Sequence, residues 1–256
     1  MTYPDLSIIQ LVTITIIAFV AQVGGCIVGG GGFITQPFLM ALGIPPQIAV
    51  ANDVSAATAS SVTAATNFSR KNLLRKDVIV ALIPGLVVGA IAGCFALRAS
   101  SPEIVEKLIA AFAVVFLIKT LVWREFKDPN EKDRTESISR YSLKSTLVGS
   151  ILGFYTTFSG AGVGTLAAFL LAKAYGLSFM SSLGVRWACL PIAMIIGICT
   201  YFYLGLLRYD LLVALLIGNV AAGRIASQLA ITLGERWLKP IFLFALAAFA
   251  TYLLLK

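Results

Sequence analysis

Apolar runs long enough to cross a lipid bilayer recur along almost the whole chain. They fall at residues 7–28, 47–68, 78–97, 104–123, 145–158, 183–204, 211–232 and 238–255. A helix needs about 20 residues to cross the hydrocarbon layer, and all but 145–158 approach that length. That run must continue through a glycine-containing break. Two shorter apolar pieces, 33–43 and 165–175, follow glycine-rich stretches. In lipid a spanning segment must satisfy its own backbone N–H and C=O groups, which favours helices. Composition removes the alternatives. Hydrophobic residues make up 59% of the chain and charged residues 12%, whereas soluble domains carry about 25% charged residues. Such a chain cannot cover a water-soluble globule, which excludes a soluble enzyme, a disordered protein and a disulfide scaffold. The expected fold class is an all-α polytopic membrane protein.

Charge marks the internal organisation. Residues 119–144 hold twelve of the charged residues, against 20 Lys and Arg and 12 Asp and Glu in the whole chain. This divides the protein into a first transmembrane repeat at 1–123, a charged linker at 124–144 and a second repeat at 145–256. An offset of 133 residues aligns Gly29 with Gly162, Gly31 with Gly164, Gly43 with Gly176 and Gly85 with Gly218. The same offset superposes Leu73-Leu74-Arg75 on Leu206-Leu207-Arg208, and Asp77 on Asp210. The reading is an internal duplication, a common transporter plan. Each half has about four spans plus a short piece after the glycines. If that piece enters and leaves on one side there are eight spans and parallel halves. If it crosses there are ten segments and the halves are inverted.

Basic residues orient the chain. The 69–77 loop carries Arg70, Lys71, Arg75 and Lys76, and residues 119–144 hold seven more Lys and Arg. Basic loops stay on the cytoplasmic side, so both are placed there. The net charge of +8 is read as part of this pattern and not as a nucleic-acid footprint. Residues 7–28 are too long for the apolar core of a signal peptide and lack a basic flank, so they are read as a first span.

Four features carry candidate chemistry. Gly29-Gly30-Gly31-Gly32-Phe33 and Ser159-Gly160-Ala161-Gly162-Val163-Gly164 break two helices at matching places. A helix restarting there presents free N–H groups and partial positive charge to an anion; close helix packing through small residues is the other reading. Asn52, Asp53 and Ser55 lie early in an apolar span. Asp53 and Arg186 occupy equivalent positions under the 133 offset, as a central ion pair or as two interfacial charges. Arg186 has the planar fork that binds an oxyanion, and Asp53 balances it or exchanges a proton. Arg224, inside 211–232, lines the substrate path, snorkels to the nearer membrane face or holds a lipid phosphate, the structural roles being favoured. Cys26, Cys94, Cys189 and Cys199 form no paired motif, and the chain has no histidine. No metal site, cofactor or enzyme activity is expected.

A family resemblance adds to this reading. Gly30-Gly31-Gly32-Phe33-Ile34 with Pro37, then Leu42-Gly43-Ile44-Pro45-Pro46 and Ala49, resembles the first-repeat signature of the sulfite exporter TauE/SafE-type transmembrane permeases. The second half is similar to that family in Gly160, Gly162, Gly164 and Gly176. Gly205-Leu206-Leu207-Arg208-Tyr209-Asp210 and Gly218, Gly223 and Arg224 continue the resemblance. It implies a multi-pass permease of the bacterial inner membrane that exports small sulfur-containing anions such as sulfite, sulfoacetate or related organosulfonates. The chain departs from the family pattern at Asn52-Asp53, where members often carry Thr-Ser, and at Arg186.

Together these point to a secondary transporter of a small anion. Its substrate site is expected at Gly30, Gly31, Gly32, Phe33, Asn52, Ser55, Ser159, Gly160, Gly162, Gly164 and Arg186, with Asp53 and Arg186 as the coupling pair and Arg224 on the pathway. The partners expected are the anionic substrate, membrane lipid and a proton or ion gradient, with a homo-oligomer left open and no nucleic acid. The alternatives are a non-transporting membrane assembly subunit and a passive anion channel.

Overall fold

The computed structural model describes residues 5–28, 30–70, 75–122, 142–177 and 179–232. Among these the chain forms nine helices and no strand. They are α1 (Ile8–Val28), α2 (Gly32–Ala41), α3 (Pro46–Arg70), α4 (Lys76–Ala99), α5 (Pro102–Val122), α6 (Leu143–Phe158), α7 (Val163–Tyr175), α8 (Phe179–Tyr203) and α9 (Tyr209–Thr232). The apolar run at 238–255 and most of the charged linker lie outside the described residues.

Local chemistry sets several helix ends. Helix α7 opens at Gly162 and closes at Gly176, with φ of 72° and 62°. An L side chain is strained in this left-handed conformation and glycine is not. Asp77 and Asp210 sit in the first turns of α4 and α9, where the helix dipole favours a carboxylate. Each is held by the arginine two residues before it, at 2.7 Å for Arg75–Asp77 and 2.7 Å for Arg208–Asp210.

Helix ends and helix neighbours both recur. Helices α3 and α8 start and end 133 residues apart, and so do α4 and α9. Helix α4 lies along α6, and α1 lies along α9. Helix α3 packs on α8 and α9, and α8 packs on α4. The short helix α2 rests on α3, as α7 rests on α8.

Among the described residues three stretches are long and apolar enough to cross a bilayer: Ile8–Gly25, Lys76–Ala99 and Gly184–Tyr203. Large apolar side chains are exposed at four-residue spacing along outer faces, as at Val12, Ile16 and Val20 on α1 and Leu147 and Ile151 on α6. Exposed stripes of this kind suit lipid, not water. Helix α3 differs. It is long enough to span, but it buries Asn52, Asp53, Ser55, Thr58, Ser60 and Ser61. It is an interior helix whose hydroxyls bond back to its own carbonyls, as in Ser55 Oγ donating to Ala51 O at 2.6 Å. That removes the cost of burying them unpaired.

The closest packing is between α4 and α6. Gly85, Gly89 and Gly93 form a stripe on α4 at four-residue spacing, facing Gly149 and Gly153 on α6. A Cβ on Gly85 would strike Thr146 O, and one on Gly89 would strike Ser150 O. In the other direction Gly149 abuts Leu82 O and Gly153 abuts Leu86 O. Small residues at this spacing let two helix backbones touch. Thr157 Oγ1 donates across the contact to Ala90 O at 2.8 Å.

Candidate functional site

Both glycine breaks form tight turns, and the turns meet. After α1 the chain doubles back, so that a Cβ on Gly31 would lie 3.0 Å from Ala21 O. A Cβ on Gly32 would lie 2.9 Å from Asp53 Oδ2 and 3.1 Å from the Cα of Ala161, which belongs to the other break. The second turn is pinned by Tyr155, whose hydroxyl donates to Ala161 O at 2.7 Å. The N-termini of α2 and α7 therefore face one place. A helix N-terminus carries partial positive charge, although here Phe33 and Ile34 N–H donate to the Gly30 and Gly31 carbonyls, and Val163 and Thr165 N–H to those of Gly160 and Gly162.

A cavity of about 50 Å³ lies there. Gly31 and Gly32 line it from the α2 turn, Gly160 and Gly164 from the α7 turn, and Asp53 and Arg186 from α3 and α8. Asp53 is 7% exposed and Arg186 2%. The Arg186 guanidinium stacks on the Trp187 ring, with Cζ 4.2 Å from the ring centroid, a cation–π contact that orients its planar fork. Two buried opposite charges, two helix N-termini and backbone with no side chain in the way make a compact polar centre between apolar helices. Such a centre can offer a small oxyanion the helix-terminal positive charge and the guanidinium of Arg186 in place of water.

The residues expected from sequence separate into two groups. Gly31, Gly32, Gly160, Gly164, Asp53 and Arg186 come together around the cavity. Among the described residues the lining leaves out Gly30, Phe33, Asn52, Ser55, Ser159 and Gly162. Asn52 instead holds the turn between α8 and α9: its Nδ2 donates to Leu206 O at 3.1 Å, and its Oδ1 accepts from Arg208 N at 3.0 Å. Phe33 packs with Ala21, Ile34, Ala113 and Ala161. Gly29 and the Arg224 side chain lie outside the described residues.

Sequence reading passed over Gln36. It is fully buried, and its Nε2 donates to Asp53 Oδ2 at 3.0 Å and to Ser159 O at 2.7 Å. One amide thus joins α2, α3 and the turn before α7. Gln22, Trp187, Leu190 and Met194 on the lining were also passed over. The signal was present for some of them. Positions 53, 57 and 61 stand at four-residue spacing on one face of α3, and the 133 offset carries them to 186, 190 and 194.

Side chains at the glycine turns should not be tolerated. Gly31→Leu and Gly164→Leu are each expected to abolish anion flux while the protein still reaches the membrane, because the new side chain fills the cavity that both glycines line. Flux by both variants at the wild-type rate would show that the turns are not part of the site.

Comparison with known proteins places the chain in a family of membrane transporters. Residues 14–253 match the family described as Sulfite exporter TauE/SafE. A "Probable membrane transporter protein" of Haemophilus influenzae is 23% identical, covering 93% of this chain and 91% of its own. The "Probable membrane transporter protein YfcA" of Escherichia coli is 23% identical, over 99% of this chain and 94% of its own. A similarly named protein of a Sinorhizobium species is 27% identical, over 98% and 94%. No solved structure matches the chain.

Proposed function

Because the chain belongs to the sulfite exporter TauE/SafE family, we propose that it is a secondary transporter moving a small sulfur-containing anion outward across a bacterial inner membrane. The substrate class is sulfite, sulfoacetate or a related organosulfonate. The chain is a membrane protein of a transporter family; the substrate, the direction and the coupling are this proposal's own.

One observation carries it. A single cavity is lined by both glycine turns and by Asp53 and Arg186. Anion binding there uses the partial positive charge at the N-termini of α2 and α7 and the fork of Arg186. Asp53 balances Arg186 when the cavity is empty, and the arriving anion competes for the guanidinium. Release of Asp53 from that balance is the step that an ion or proton gradient can drive. The matched helix ends at the 133 offset support two duplicated halves of about four spans each, in eight spans or ten segments, with the cavity between them. Transporters built from repeats place their site at such an interface.

Purified protein in liposomes tests the function. Sulfite flux that rises when a proton gradient is imposed is the expected result. Gradient-independent conductance would make the protein a passive channel, and no flux of any tested anion would leave a membrane assembly subunit.

A further inference from the structure

The two sides of the cavity come from matched positions, and they differ in one direction. Under the 133 offset Val54 corresponds to Trp187, Ala57 to Leu190 and Ser61 to Met194, and all six line the cavity. On α3 the residues are small; on α8 each counterpart is large. Leu190 is 2% exposed and Met194 5%, so their bulk is held in place by packing. Trp187 supports Arg186, which leaves Leu190 and Met194 as the pair whose size bears on the room available.

That room is small. A water molecule needs about 10–15 Å³ of such space, so a cavity of about 50 Å³ has room for only a few water-sized groups. The sulfur and three oxygens of sulfite are a group of that kind. An organosulfonate brings a carbon tail as well, and on the α8 side of the cavity that tail meets the side chains of Leu190 and Met194.

We propose that Leu190 and Met194 are specificity-determining residues, which close the cavity to sulfonates carrying a carbon tail and leave it to the bare oxyanion. This rests on the transporter reading above and narrows its substrate class. Ala57 and Ser61 leave the opposite wall short, so the limit comes from α8 alone.

The test compares sulfite with ethanesulfonate in liposomes containing the full-length protein. Ethanesulfonate adds a tail without adding a second charge that would face Asp53. Wild-type protein is expected to carry sulfite and to carry ethanesulfonate poorly. In Leu190→Ala with Met194→Ser, the ratio of ethanesulfonate to sulfite flux is expected to rise about tenfold or more, the scale on which a methylene or two is discriminated in an apolar pocket. The single variant Met194→Ser reads the same change at smaller size if the double variant does not accumulate. The reciprocal change Ser61→Met should lower sulfite flux by closing the cavity from the other wall. Efficient ethanesulfonate flux by the wild type would overturn the size limit while leaving the transporter standing. So would an unchanged ratio in folded, sulfite-carrying variants. Absence of sulfite flux from the wild type is the distinct result that overturns the transporter reading, and this inference with it.

Discussion

Arg186→Gln is expected to abolish sulfite flux, and Asp53→Asn to destabilise the protein, yet the double variant should melt at a higher temperature than either single variant. Asp53 and Arg186 line the same cavity and are both buried. Removing one of two opposite charges from a low-dielectric site leaves the other uncompensated, at a cost of about 3–5 kcal/mol. Removing both leaves neither. Flux should not return with stability, because the double variant lacks the guanidinium that holds the anion. Arg186→Lys is expected to retain the charge and lose affinity, since an ammonium cannot present a planar fork or stack on Trp187 in the same way. A double-mutant cycle on thermal stability decides the matter. Single effects that add to within about 0.5 kcal/mol would show that the two charges do not interact.

Gly89→Leu is expected to prevent the protein from accumulating in folded form, and Gly153→Leu to do the same from the facing helix. Even a methyl group at Gly89 would meet the Ser150 carbonyl, and one at Gly153 the Leu86 carbonyl. Both are backbone atoms, so relief requires the helices to separate. Forcing one methylene into a packed contact costs about 1–3 kcal/mol, and a leucine would separate α4 from α6 along several turns. Val88 is the control. It is the neighbouring residue, is 63% exposed, and should accept Val88→Leu or Val88→Ala with little change. Size-exclusion profiles in detergent read both outcomes. A Gly89→Leu variant that accumulates and melts like the wild type would show that close approach of the two backbones is not needed.

Much of the helical layout could be read from apolar length and punctuation. The run at 47–68 lies within Pro46–Arg70, 78–97 within Lys76–Ala99, and 211–232 within Tyr209–Thr232. The structure extends several of these runs by a turn or less, because polar residues such as Lys76 and Asp77 can form the first turn of a helix without being apolar. The short pieces after the glycines were likewise visible, since glycine breaks a helix wherever it clusters. Asp53, Arg186 and four of the glycines were picked out by one physical argument, that charge and irregular backbone inside a membrane need a cavity.

Other parts were not legible for equally physical reasons. Asn52 looks like a site residue because it is polar within an apolar run. An amide that both donates and accepts also suits a turn with free backbone groups, and only three-dimensional placement shows the turn beside it. Gln36 has the opposite history. Nothing local distinguishes it, and its importance comes from Ser159, more than a hundred residues later. The narrowing wall of Leu190 and Met194 is invisible for the same reason: a leucine and a methionine in an apolar helix read as core until the facing residues are known.

The pairing of α1 with α9 has a consequence for how the protein is made. Helix α1 ends at Val28 and its partner begins at Tyr209, and Thr15 Oγ1 donates to Ala214 O at 3.0 Å across the contact. A ribosome adds about 5–20 residues per second, so α1 waits on the order of 10–40 s in the bilayer before that surface is covered. Helices α4 and α6 are separated by a much shorter stretch and can dock sooner. The contact of α1 with α9 is thus among the last that synthesis allows, and a nascent chain stalled before α9 presents the uncovered side of α1 to whatever quality-control machinery surveys the membrane.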